Sequence, residues 1–389
     1  MDRDRFPGLA DGWARLDGPA GTLMLDTAIE AMSDWMRSGD GANHGGAFQA
    51  AHRTDALLER TRASVARLLG ASPGEIVFGP SMTALTMRFS AAAGRTLQPG
   101  DEIVCSRLDH DANVAPWLIA AGRAGATVRF ADPEADTLEL PATAVEALLT
   151  GRTRWVAVTA ASNAVGTVPD LSGIIAAAHA AGARVFVDAV HAAPHRRIDV
   201  AALDCDALAC SAYKWFGPHV GVLWARRALL EDLGPDKLRP SSDEAPDRWE
   251  LGTLPFESLA GVAAAADFVD ALDRVELGAH EEDLLGRMTG GLQAIEGVTL
   301  HGAARDRTPT VMFTVAGLSS TAVATALAAD GVAVWDGDYY ALELSRHLGL
   351  EGQGAVRAGC VAYNDTEDVG RLLSAVAALR PAARAEATR

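Results

Sequence analysis

The sequence predicts an α/β fold: a large unit on a seven-stranded, mostly parallel sheet, then a smaller α+β unit. Three observations predict it. Short apolar runs alternate with Ala-rich helical patterns from near residue 57, the alternation breaks at the charged, Pro-containing stretch Gly234–Arg248, and short strand patterns return beyond residue 298. With 389 residues and 49% apolar character, the chain is long enough to bury two packed units.

The strand candidates of the first unit are Glu75–Gly79, Glu102–Ser106, Thr127–Ala131, Trp155–Ala160, Arg184–Asp188, Asp206–Ser211 and Val220–Ala225. Helical patterns at Leu57–Leu69, Thr83–Ala93, Ala115–Ala124, Thr143–Leu149 and Leu171–Ala181 fall between most of them. Strand, helix, strand in that order gives a parallel sheet covered on both faces, with ligands beyond the carboxyl ends of its strands. Two helical runs follow, Ser258–Leu272 and His280–Ile295, and then strands at Val298–His301, Thr310–Val315, Val332–Trp335 and Val356–Val361. The Ala-rich tail after Leu379 is expected to fray.

Composition excludes several partners. Lys and Arg number 34 against 51 Asp and Glu, a net charge of -17 that repels nucleic acid and anionic membranes. The charged N-terminus has no apolar run behind it, and Leu259–Ala266 is too short to span a bilayer, so a cytoplasmic protein is expected. The four cysteines (Cys105, Cys205, Cys210, Cys360) lie in apolar runs without metal-ligand spacing and read as buried, reduced thiols. No metal site is expected.

Lysine is the informative residue. Only two occur, Lys214 and Lys237, while arginine is plentiful. Lys237 sits in the charged interruption, where a surface role suffices. Lys214 follows a buried strand in Ser211-Ala212-Tyr213-Lys214-Trp215-Phe216-Gly217-Pro218, where desolvation lowers an amine's pKa and makes it nucleophilic. Arginine cannot form a Schiff base, which gives the choice of lysine a chemical reason. A lysine that snorkels, or pairs with an acid at a turn, explains the residue equally well. Asp188 decides between them: it ends the strand Arg184–Asp188, where a carboxylate can pair with a protonated pyridine nitrogen. A capping or turn-forming aspartate is its structural alternative. His191, three residues on, is placed to stack on such a ring or to bond its hydroxyl, although a lone histidine also serves purely structural roles. A dinucleotide fold would need a Gly-rich fingerprint after its first strand; Gly217-Pro218-His219-Val220-Gly221 has a strand behind it and reads as a tight connection.

Val185–Pro194, the segment leading to Lys214, and Thr159-Ala160-Ala161-Ser162-Asn163-Ala164-Val165-Gly166-Thr167 resemble class V aminotransferases of fold-type I. The nearest branch holds cysteine desulfurases, selenocysteine lyases and isopenicillin N epimerase-like proteins. The likeness runs from Leu16-Asp17-Gly18-Pro19-Ala20-Gly21 to Tyr363-Asn364-Asp365-Thr366. It implies a large domain that binds pyridoxal 5′-phosphate (PLP) over residues 21–250, and a small domain from residues 1–20 and 251–389. It implies an internal aldimine on Lys214, Asp188 at the pyridine nitrogen, His191 where relatives have a Gln near the ring hydroxyl, and His110 stacked on the ring. Ser81, Met82, Thr83 and Ser211 would hold the phosphate, and Thr253 would reach the phosphate of a second subunit in a homodimer with shared sites. Asn163 and Arg357 would take the carboxylate of an amino-acid substrate; a strand-end salt bridge is the alternative for Arg357.

Two departures shape the functional expectation. The loop Gly331-Val332-Ala333-Val334-Trp335-Asp336-Gly337-Asp338-Tyr339-Tyr340-Ala341, where desulfurases carry a nucleophilic cysteine, contains none; Tyr340 stands nearest the expected place. Tyrosine cannot form a persulfide. Tyr213 replaces the His that relatives carry before the lysine. The expected activity is therefore β-elimination from an S-substituted cysteine, a C–S lyase, with Trp335 and Tyr340 lining the substrate pocket. Transamination, racemisation or decarboxylation-coupled oxidative deamination of a specialised-metabolite amino acid is the second enzymatic reading. A non-catalytic sulfur-relay partner is the third.

Overall fold

The computed structural model describes residues 2–379. The tail beyond Leu379, expected to fray, lies outside them. The large sheet comprises β1 (Ile76–Gly79), β2 (Glu102–Ser106), β3 (Thr127–Ala131), β4 (Thr153–Thr159), β5 (Arg184–Asp188), β6 (Ala207–Ser211) and β7 (Gly221–Ala225), in the order β1-β7-β6-β5-β4-β2-β3. All neighbours are parallel except β7, which runs antiparallel to both β1 and β6. Each expected strand of this sheet is present, with ends shifted by two residues at most.

Alternate strand residues feed opposite cores, as a period of two requires. Val185 and Val187 of β5 join the core on one face, while Phe186 packs on the other among Phe89, Trp117 and Trp155. Both faces are apolar because helices cover both, which is why these strands read as continuous hydrophobic runs.

The second sheet holds β8 (Val298–His301), β9 (Thr310–Val315), β10 (Trp335–Gly337) and β11 (Ala355–Gly359), all antiparallel in the order β10-β11-β9-β8. The run expected as one strand, Val332–Trp335, divides. Val332 and Ala333 pair in parallel with Ala14 and Arg15, and Trp335 opens β10. A parallel bridge from Asp17 to Gly359 of β11 then ties the N-terminal segment to the second sheet. The expected helix starts also move: Gln49–Leu69 begins eight residues before Leu57, and Asp26–Arg37 precedes the region where the alternation is visible. The helix Phe256–Asp270 packs on those two helices within the large core, whereas Arg274–Gln293 packs on the second sheet.

Gly221 explains how β7 can pass the start of the helix Met82–Gly94. A Cβ at Gly221 would lie 2.2 Å from the carbonyl carbon of Ser81 and 2.5 Å from the nitrogen of Met82. Both are backbone atoms, so no rotamer change relieves the clash. Gly221→Ala is expected to cost about 1–3 kcal/mol through overpacking, read as a lower midpoint in denaturant unfolding of the purified chain. An unchanged midpoint would contradict this packing.

Candidate active site

The carboxyl ends of β5 and β6 deliver the two central residues. Asp188 is the last residue of β5, and Lys214 closes the 3-10 turn Ala212–Lys214 directly after β6. Both line one cavity with Ser81, Met82, Thr83, His110, Asn163, His191, Ser211 and Tyr213, around about 480 Å³ of empty space. The sequence expectation therefore converges on a single place. Arg357 on β11 stands beside it: its Nη1 donates to the carbonyl of Asn163 at 2.9 Å, and its guanidinium lies 4.6 Å from the Tyr339 ring centroid.

Besides Arg357, three expected residues lie outside the cavity lining. Tyr340 is 72% exposed, and its ring stacks on His110 at 5.3 Å. Trp335 is 52% exposed on β10, an edge strand, away from the cavity wall. Thr253 is exposed and borders a separate groove with Phe78, Pro80, Met87, Trp249 and Leu251.

Burial sets the electrostatics. Desolvation lowers Lys214 to about 7, Arg357 pushes it the same way, and Asp188 opposes them. Asp188 is raised to about 6 by burial, against a 2.9 Å hydrogen bond from the Val190 N–H and the charge of Lys214. The amine also donates to the carbonyl of Pro19, so the N-terminal Asp17–Ala20 turn closes one side of the site. Arg357 is 4% exposed and has no acidic partner within salt-bridge distance among the described residues. The strand-end salt bridge weighed for it is therefore absent there. A buried guanidinium without a carboxylate is costly unless a ligand brings one. Asn163 points the same way: its Nδ2 donates to the carbonyl of Tyr339 at 2.9 Å, while its buried Oδ1 has no partner.

His110 caps the turn after it, accepting from the Ala112 N–H at Nδ1 over 2.9 Å, so its proton resides on Nε2. Desolvation, with Lys214 and Arg357, lowers it to about 4.

Sequence reasoning passed over several residues. Asp109 is fully buried, bonded to Ser106 Oγ and at 2.7 Å to Asn113 Nδ2, and burial raises it to about 8. It stood next to His110 in the sequence but gave no signal of burial. Tyr339, rather than Tyr340, is the buried aromatic of its loop. Thr308 and Thr310 hold His191 from the second sheet, a long-range contact that no local pattern announces.

The residues present fit PLP. A desolvated amine faces the space, a carboxylate shares it, and the helix Met82–Gly94 points its N-terminus into it. Ser81 Oγ caps the Ala84 N–H, which leaves the Met82 and Thr83 N–H groups to an anion. The close pass of Gly221 keeps that turn free of side chain from below.

The aminotransferase class-V profile matches residues 14–372. An uncharacterized protein of Mycobacterium tuberculosis is 34% identical, covering 97% of this chain and 98% of its own. A cysteine desulfurase of Dickeya dadantii is 33% identical over 93% of this chain and 90% of its own. The solved structure of the Escherichia coli cysteine desulfurase CsdA is 31% identical, covers 96% of each chain and superposes with a TM-score of 0.88. PLP is the cofactor of this group of enzymes. The chain belongs to the class-V aminotransferase family, among the cysteine desulfurase-like enzymes.

Proposed function

We propose that the chain is a PLP-dependent C–S lyase that acts on an S-substituted cysteine by β-elimination, without a persulfide-forming cysteine. The distribution of cysteines carries this reading. None stands in the 331–341 loop, and all four are buried, away from the cavity lining. Cys360 lies in the core of the second sheet, where burial raises its thiol far above neutrality. Burial likewise pushes Cys205 and Cys210 up to about 12, so neither is a nucleophilic thiolate.

When bound, PLP supplies an aldehyde for an amine and an electron-withdrawing ring that acidifies the substrate Cα–H. Lys214 would hold the aldehyde and, with its amine near 7, take the Cα proton at physiological pH. Asp188 would keep the ring nitrogen protonated. The N–H groups of Met82 and Thr83, with Ser81 and Ser211, would hold the phosphate. Arg357 and Asn163 would fix the substrate carboxylate, and His110 would bound one face of the ring while Tyr340 covers the mouth. An S-substituted cysteine and water then give a thiol, pyruvate and ammonia: the Cβ–S bond breaks, and the sulfur leaves with the bonding pair and takes a proton. The relatives named cysteine desulfurase support C–S cleavage as the class of reaction.

Transamination or oxidative deamination is the second reading, favoured only by the aromatic residues at 339 and 340 near the mouth. Incubation of PLP-loaded protein with a panel of S-substituted cysteines is expected to release pyruvate and ammonia in equal amounts. Alanine with sulfur retained on the enzyme, or conversion of PLP to its amine form, would sink the proposal.

Uptake of PLP gives a pH test. Only the neutral amine attacks an aldehyde, so the rate of appearance of visible absorbance is expected to rise with pH around a midpoint near 7. A midpoint near that of an ordinary lysine would contradict the desolvated setting of Lys214.

We also propose a homodimer. The groove beside Thr253 encloses about 1160 Å³ of empty space and is lined largely by apolar side chains, with Leu251 and Met87 exposed at its edge. A second copy seated there would lie against both Thr253 and the Gly79-Pro80 segment that leads to Ser81, since both line this groove. Sedimentation equilibrium is expected to give twice the chain mass, and Leu251→Glu to halve it; a wild-type monomer rules this out.

A further inference from the structure

Arg307 is a cation that no carboxylate balances. It stands between β8 and β9, and desolvation lowers it to about 10, so it stays charged at neutral pH. Among the described residues no acid lies within salt-bridge distance of it, and its neighbour Asp306 pairs at 2.5 Å with Arg196 instead. Its guanidinium is given to main-chain carbonyls. Nη2 donates to Val165 at 2.9 Å and to Thr310 at 2.7 Å, and Nη1 donates to Gly302 at 3.3 Å. Both protons on Nη2 are thus committed, one to the large unit at Val165 and one to the second sheet at Thr310.

Val165 belongs to a tight turn. The Thr167 carbonyl accepts from the Ser162 N–H at 2.8 Å, and the Ser162 carbonyl accepts from the Gly166 N–H at 2.9 Å. This folds residues 162–167 back on themselves with Asn163 at the cavity. The second unit grips the turn along its length. Arg357 donates to the Asn163 carbonyl at 2.9 Å, the Thr308 N–H donates to the Gly166 carbonyl at 2.8 Å, and the Asp306 carbonyl accepts from the Val168 N–H at 3.0 Å. Gly166 has a φ of +77°, and a Cβ there would lie 2.7 Å from the Thr308 carbonyl oxygen, so only glycine admits this approach. Two guanidiniums from the second unit therefore fix the main chain on either side of Ala164.

We propose that Arg307 is a positioning residue for the carboxylate end of the substrate: through the Val165 carbonyl it holds the 162–167 turn, where Asn163 and Arg357 converge on one ligand carboxylate. Arg307 itself does not line the cavity. Methionine at 307 would fill similar space but leave the buried Val165 carbonyl without this donor. The turn would then be free to shift, taking with it the unpartnered Asn163 Oδ1 and the carbonyl that anchors Arg357. The hold on Asn163 is a property of the unloaded chain. Its effect on a ligand carboxylate rests on the function proposed above.

The chain contains four asparagines, Asn43, Asn113, Asn163 and Asn364, so selective 15N labelling of their side-chain amides reads the turn directly. In PLP-free protein, Arg307→Met is expected to move the Asn163 amide signals, identified by their loss in Asn163→Ser, and to leave those of Asn113 in place. Unmoved Asn163 signals, or equal movement of Asn113, overturn the proposal. Arg307→Lys keeps a cationic donor of similar reach and is expected to fall between wild type and Arg307→Met; a lysine variant displaced as far as the methionine one overturns the hydrogen-bond basis. If Arg307→Met does not fold, Arg307→Lys alone must still move Asn163 and spare Asn113.

PLP-loaded protein tests the ligand part. S-Methyl-L-cysteine and 2-(methylsulfanyl)ethylamine differ only in the carboxylate, and each is titrated against the visible band. Arg307→Met is expected to raise the half-saturation concentration of the amino acid about tenfold, the scale of one weakened charge-assisted hydrogen bond, and to leave that of the amine unchanged. An equal rise for both probes is what a merely structural role predicts, and it overturns the proposal. Equal half-saturation of both probes in the wild type would instead count against Asn163 and Arg357 as the carboxylate site, and leave the amide result standing.

Discussion

The site depends on a lysine held where its charge is poorly solvated. Lys214 shares a buried pocket with one carboxylate, Asp188, and a second buried cation, Arg357, stands beside that pocket. Two cations against one buried anion are unstable as charges, and the least costly relief is to leave the amine neutral. The same imbalance makes the place receptive to an anion. Arg357 has no acid within salt-bridge distance among the described residues, so the carboxylate of a bound amino acid would complete the charge balance. The lowered pKa of the amine and the unpaired guanidinium thus share one electrostatic cause.

The fold supplies this arrangement through strand ends. Parallel β5 and β6 bring Asp188 and the Lys214 turn to one edge, and the antiparallel β7 is threaded beside the cavity-facing start of the helix Met82–Gly94 by Gly221. The second sheet then closes the site from the other side, with Arg357 from β11 and the two threonines that grip His191 from the start of β9. Cavity chemistry is therefore divided between both sheets. The loop at Asp338–Tyr340 marks the join: Tyr339 and Tyr340 both adopt left-handed backbone conformations, one ring lying under Arg357 and the other over His110. Non-glycine residues in that region are strained and persist only where surrounding contacts hold them.

Much of this was legible in the sequence because it was local. Apolar runs bounded by turn residues marked the strands, and one of only two lysines among many arginines marked the amine that faces the cavity. Asp188 and His191 followed from their distance to a strand end. What was not legible came from tertiary contact. Nothing in Arg307-Thr308-Pro309-Thr310 announces that its hydroxyls reach His191, more than a hundred residues away in the chain. The division of Val332–Trp335 between two sheets has the same origin, since residues 332 and 333 pair with the N-terminal segment. The aromatic pair at 339 and 340 was visible, but which ring is buried depends on backbone geometry that composition does not encode. Trp335, read as a pocket residue from its proximity in sequence, sits on an edge strand away from the cavity wall.

Because the chain has only two lysines, one labelling experiment addresses the central claim directly. The protein is mixed with PLP at neutral pH, reduced with borohydride, digested and mapped by mass spectrometry. A pyridoxyl phosphate mass on the peptide that carries Lys214, with Lys237 unmodified, is the expected result. Label on Lys237 or the N-terminal amine, with Lys214 unmodified, would contradict the account.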